Sequence, residues 1–239
     1  MAGLGLSMAV LPVTPAHAVT FVPCGNVAAL RAAINASNTS NENIALAPNC
    51  TYTIRDTVNT TNGGNGLPSV TGSYSISGSD TTVRRSTEAG IPNFRIFNVV
   101  SGGDLTLNSI HVLHGRVPTG AGGGIRVSGA GSSVTVFGGS VRDNSAQTGG
   151  GIRIGLGASA TLNSSMVSGN DASGRGGGIS HAGSTLRLDF SAVRNNRSGL
   201  EGGGIYEGPG SQVSLASSAV FFNIPNNCRP VGAVPGCPN

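Results

Sequence analysis

The chain has 239 residues, of which 39 are Gly, 38% are hydrophobic, only 10% are charged and none is Lys or Trp. A net charge of +4 with a regular apolar pattern excludes a disordered chain, which needs high charge and low hydrophobicity. The Arg residues are scattered, with Arg84-Arg85 the one adjacent pair; this excludes the dense basic stripe and stacking aromatics of a nucleic-acid surface.

Residues 1–18 read as part of an export signal. Residues 2–13 are small and apolar, and Ala16-His17-Ala18 has the small-x-small form of a cleavage site. The apolar run is too short to span a bilayer, and no transmembrane segment is expected elsewhere. Residues 19–56 read as an N-terminal cap with the first strand. Within them, residues 26–37 predict a short helix with Asn26 as N-cap and Val27, Leu30 and Ile34 on one face. Such a helix covers the open end of the first coil. Thr51-Tyr52-Thr53-Ile54 starts the first strand, and residues 57–69, rich in Thr, Asn and Gly, form an inserted loop.

Residues 57–223 read as coils. The word Gly-Gly-Gly-Ile occupies 122–125, 149–152, 176–179 and 202–205, so its Ile residues lie 27, 27 and 26 apart. A period of that length predicts a solenoid. Two further anchors keep step. The first is Leu107, Val136, Leu162, Leu188 and Leu215; the second, five residues on, is Val112, Val141, Val167, Val193 and Val220. Three residues later come Gly115, Asn144, Asn170, Asn196 and Asn223. Between the turns, apolar residues alternate with polar ones, as in Ile152-Arg153-Ile154 and Leu186-Arg187-Leu188. Period two means half-buried strands. The expectation is an all-β parallel β-helix with the Ile, Leu and Val columns inside. Asn at its repeated turn is expected to take the left-handed region and to hydrogen-bond along the axis.

Residues 224–239 read as a C-terminal cap. Cys24 and Cys50 bracket the first module, and Cys228 and Cys237 the last. An even count in an exported chain reads as disulfides. Of three connectivities, sequential pairing is preferred, because the ends of a rod are far apart and a disulfide needs Cα atoms within ~7 Å. No Cys-x-x-Cys occurs, and neither a metal nor a cofactor is expected.

The Gly-Gly-Gly-Ile word followed by Val-x-x-Asn (Val141 to Asn144, Val167 to Asn170, Val193 to Asn196, Val220 to Asn223) resembles the repeats of polymorphic outer-membrane proteins. The fuller pattern is similar to exported bacterial right-handed parallel β-helix repeat proteins. It includes Leu30-Arg-Ala-Ala-Ile-Asn35, Gly66-Leu-Pro68, Ile76-Ser-Gly78, Phe94-Arg-Ile96 and Leu105-Thr-Leu107. The resemblance implies right-handed coils and a secreted or cell-surface location.

Candidate chemistry is sparse. Ten acids are present, and no two are adjacent. A glycosidase needs two carboxylates across one bond; the one candidate cluster is Asp80, Glu88 and Asp104 with Arg84, Arg85 or Arg95. No residue is assigned a catalytic role. After the repeated Ile come Arg126, Arg153, Ser180 and Tyr206, an outward column in which two Arg repel each other unless an anion joins them. Arg126, Arg153 and Tyr206 are therefore the expected ligand face. One step on, His181 and Glu207 fall in register, a pair suited to acid–base work but more often a strand end. Thr106, Thr135 and Thr161 also align, and Arg187 breaks their column. The expected function is non-catalytic adhesion or glycan contact with an anionic glycan or surface polymer. The alternative is a lyase or glycoside hydrolase acting on an acidic polysaccharide.

Overall fold

The computed structural model describes residues 18–60, 63–183 and 185–238. The export-signal reading lies outside the described residues, apart from Ala18. The coils stack as a parallel β-solenoid of about eight turns. A six-stranded sheet orders Phe97–Val100, Ile125–Ser128, Ile152–Ile154, Ile179–His181, Ile205–Glu207 and Cys228–Arg229 along the axis. It is the Ile sheet, after the residue that recurs at its inner face. A long thirteen-stranded sheet carries two arms per regular coil, such as Ser159–Asn163 and Met166–Ser168. A short four-stranded sheet, which includes Ser145–Thr148 and Asp171–Ala172, closes four of the turns.

The inward ladders follow the repeat. Ile125, Ile152, Ile179 and Ile205 pair in register, each 0% exposed. The ladder extends back to Phe97 and forward to Cys228, both buried. Val112, Val141, Val167, Val193 and Val220 form a second column. Parallel in-register pairing brings each branched side chain against its equivalent about 4.8 Å away, so the Ile and Val columns of the regular coils need no aromatic, whereas the early coils bury Tyr52, Phe94 and Phe97.

The Gly word is a steric requirement. Gly149 has φ +62°, a left-handed conformation that costs a side chain. At Gly150, a Cβ would collide with the carbonyl oxygens of Asp171 and Gly177. The corner closes only because backbone passes directly over backbone.

The repeated Asn residues build a buried amide ladder. The Asn170 Nδ2 donates to Asn196 Oδ1 at 2.9 Å and to the Val141 carbonyl at 2.9 Å, and the Asn170 backbone N–H donates to Asn196 Oδ1 at 3.0 Å. The same pattern links Asn144 to Asn170 and Asn196 to Asn223. Gly115 N–H donates to Asn144 at one end, and Asn227 receives Asn223 at the other. The expected left-handed conformation falls elsewhere: the residue before each Asn takes it, as at Asp143, Gly169 and Asn195. The Asn side chain must point inward to reach the next coil, so its predecessor turns the corner.

At the N-terminus the helix is Val27–Ser40, longer than expected, with Asn26 Oδ1 accepting from Ala29 N–H at 2.9 Å. Leu30 and Ile34 are fully buried over the first coil. Thr51–Ile54 is not the first strand: Val19–Val22 and Asn43–Leu46 precede it and pair in parallel. The described residues of the inserted segment, 57–60 and 63–69, hold no strand and are pinned by bridges from Asn65 to Asn59 and to Arg95. The disulfides are Cys24–Cys50 and Cys228–Cys237, with Cα separations of 5.7 and 6.3 Å. Among the described residues no helix is long and apolar enough to cross a membrane.

Candidate functional site

The outer face of the Ile sheet holds the expected column. Arg126 pairs with Arg153, Arg153 with Ser180, and Ser180 with Tyr206. Alternation explains it: each Ile points in, so its successor points out. The Arg126 Nη1 donates to Asn98 Oδ1 at 3.2 Å, and Arg153 Nη1 donates to Ser180 Oγ at 3.0 Å. Among the described residues, neither guanidinium forms a salt bridge with a carboxylate. Both are half-buried, and burial lowers the pKa of each. Repulsion from Arg126 adds to the shift at Arg153, against a smaller opposing effect of Tyr206.

The structure adds three Arg residues to this region. Arg229, from the C-terminal cap, stands in register beyond Tyr206. Arg95 is fully buried and gives hydrogen bonds to Asn65 Oδ1 at 2.7 Å and to the Ala121 carbonyl. Burial, and then the Arg126 charge, push Arg95 down to about 10. Arg175 stacks over the Tyr206 ring at 5.0 Å and pairs with Glu201 at 2.9 Å. One face of Tyr206 is thus taken by Arg175, whose charge Glu201 balances, where the sequence pointed to a bare aromatic. Arg229 escaped the sequence reading because it lies outside the Gly-Gly-Gly-Ile frame, and Arg95 entered it only beside the acid cluster.

A second feature lies at the bend between the two arms of the long sheet. An open groove of about 820 Å³ runs there, lined by Thr51, Thr82, His111, Ser140, Arg142 and Phe190 among others. Thr51, Thr82, His111, Ser140, Met166, Ala192 and Ala219 pair successively in register. The groove therefore follows the axis through six coil steps, about 29 Å at 4.8 Å each. His111 bridges its neighbours: Nε2 lies 2.9 Å from Asp80 Oδ1, and Nδ1 lies 2.8 Å from Ser140 Oγ.

The acid cluster considered from the sequence does not form. Asp80 meets His111, Glu88 pairs with Arg55, and Asp104 Oδ1 accepts from Ser133 Oγ at 2.6 Å. Arg84 turns to Thr53, and Arg85 to the Pro92 and Ile91 carbonyls. The inserted loop and unequal early coils move these residues out of one column. The Thr106, Thr135 and Thr161 column forms and meets Arg187, as expected.

His181 and Glu207 do pair in register, but inside the solenoid. They continue the inward column of Val127 and Ile154. His181 is 0% exposed and Glu207 6%. Among the described residues, His181 Nε2 and Glu207 Oε2 have no hydrogen-bond partner. Burial holds the His181 imidazole down at about 4, with the Gln212 backbone opposing and Arg153 assisting. Burial raises the Glu207 carboxyl, against the Val213 backbone.

A pH dependence of stability follows. Above about 6.5, His181 is neutral in both folded and unfolded chains. As pH falls from there to about 4, only the unfolded chain takes up the proton, so folding loses stability. The loss is at most about 3 kcal/mol. Glu207 has the opposite sign: its contribution is full below the unfolded carboxyl pKa and fades as pH rises through its raised folded value. In a Glu207→Gln background, the urea midpoint is therefore expected to fall between pH 6.5 and 4. A His181→Leu change on that background is expected to flatten the fall. An unchanged slope would place the titration elsewhere.

The sequence matches no family model, no curated protein and no solved structure, so the functional reading rests on this geometry.

Proposed function

We propose that the chain is a secreted or surface-exposed binding solenoid whose Ile-sheet face contacts an anionic polymer, such as an acidic glycan. The observation that carries this reading is the pair Arg126 and Arg153, stacked in adjacent coils, half-buried and without a carboxylate partner among the described residues. Two like charges held about 4.8 Å apart in the ladder direction repel. Carboxylates or sulfates spaced along a polymer relieve that repulsion, and the planar guanidinium fork suits them. Arg229 extends the same charge along the axis, in register beyond Tyr206. Two disulfides fit an oxidising compartment.

The test is binding of the mature chain to acidic and neutral glycans over a range of salt. Acidic glycans are expected to bind, and to weaken as salt rises, because exposed charges are screened within about 10 Å at 0.1 M. Arg126→Ala with Arg153→Ala should weaken binding about tenfold or more, with unchanged thermal unfolding. Equal binding by the double variant would remove this face from the reading.

A further inference from the structure

The groove at the bend of the long sheet holds a chain of three groups that glycan contact on the Ile sheet does not use. We propose that this groove hydrolyses small acyl esters carried on an extended polyhydroxy chain, with Ser140 as nucleophile, His111 as general base and Asp80 as the residue that positions His111.

The geometry sets the roles. Asp80, His111 and Ser140 come from three successive coils, and their contacts are 2.9 and 2.8 Å. A carboxylate only accepts, so the His111 Nε2–H donates to Asp80. That leaves Nδ1 as the acceptor for the Ser140 hydroxyl, the arrangement an activated serine requires. Asp80 is held at a corner with φ +52°, a left-handed conformation that aims its side chain across to the next coil. Ser140 lies on the groove floor, 4% exposed. Two residues on, strand alternation places Arg142 on the same outer side of the groove, where its guanidinium also pairs with Asp143 Oδ2 at 3.2 Å.

The chemistry closes without a cofactor or oxidant. Ser140 Oγ bonds to the acyl carbon while its proton passes to His111 Nδ1. The tetrahedral oxyanion collapses, the bond to the alcohol oxygen breaks, and that oxygen takes the proton from Nδ1. Water then attacks the acyl-serine and gives its proton to Nδ1. The acyl–Oγ bond breaks, Ser140 recovers the proton, and a carboxylic acid leaves.

The shape points to the carrier. Ser140 is the middle member of the seven-residue column, with three coils on either side. An extended polymer can therefore pass over the nucleophile in both directions. Hydroxyls of Thr51, Thr82, Ser164 and Ser217 line its path, and Phe190, 70% exposed, offers a stacking face. Such a lining suits a sugar chain bearing acyl groups.

The experiment treats the full chain with a fluorophosphonate probe, p-nitrophenyl acetate and an O-acetylated polysaccharide. The expected results are a probe adduct on Ser140 by peptide mass mapping, turnover of the small ester and release of acetate from the polymer. Ser140→Ala and His111→Gln should each lower kcat/KM at least about 100-fold, and His111→Gln should abolish labelling. Asp80→Asn should lower kcat with KM unchanged, and Asp80→Glu should recover part of it. Thermal unfolding of Ser140→Ala should match the wild type, which separates lost chemistry from lost fold. Absence of the Ser140 adduct, or equal turnover by Ser140→Ala, would overturn the proposal. Turnover of the small ester without acetate release from the polymer would overturn its carrier.

Discussion

Ile152→Asp is expected to leave no soluble folded protein. Ile152 is 0% exposed and sits between Ile125 and Ile179 in the inward ladder. The substitution removes apolar contacts worth about 2–5 kcal/mol, and it buries a carboxylate with no partner, which costs several more. The sum approaches the whole stability of an ordinary domain, about 5–15 kcal/mol. Ile152→Val, which keeps shape and polarity, should cost only about 1 kcal/mol. Soluble yield and circular dichroism distinguish the two. A folded Ile152→Asp protein would mean that this column does not bear the core. Because each coil contacts only its neighbours, a break here should also separate the two halves of the rod.

Asn196→Leu is expected to be the second most damaging single change. In the native fold, Asn196 Oδ1 accepts from both the backbone and the side-chain amide of Asn170, and its Nδ2 donates to the Val167 carbonyl and to Asn223. Leu fills similar volume but leaves these buried groups unpaired, at about 1–3 kcal/mol each. A loss of about 4 kcal/mol in urea unfolding is expected, with earlier amide exchange at Asn170 and in the adjoining Gly-Gly-Gly turns. Asn223→Leu should cost less, because Asn223 is near the end of the ladder and its partner Asn227 belongs to the cap. Equal losses at the two positions would contradict a ladder whose interior bonds are the most sheltered.

Much of this was legible because a solenoid is nearly one-dimensional. Ile125, Ile152, Ile179 and Ile205 had to share a column once their spacing held, since parallel coils of equal length stack equivalent residues. The outward position of Arg126 and Arg153 followed from alternation. The same rule places His181 and Glu207 inside, two residues beyond Ile179 and Ile205, although an acid–base pair suits an outer face better. Asp80, His111 and Ser140 were harder. Asp80 belongs to an early coil without the Gly word, and the inserted loop near it disturbs the count.

The sequence by itself determined the period, the inward ladders, the Asn column and the outer Arg pair, because each depends on spacing within one repeat and on side chains alternating across a strand. Only the tertiary structure decided which residue turns each corner, where Arg229 returns to the Ile sheet, and that Asp80, His111 and Ser140 meet. Those outcomes depend on how the chain bends between arms and on side chains reaching across coils 29 or 31 residues apart. Such distances in space are set by packing, which the order of residues along the chain does not display.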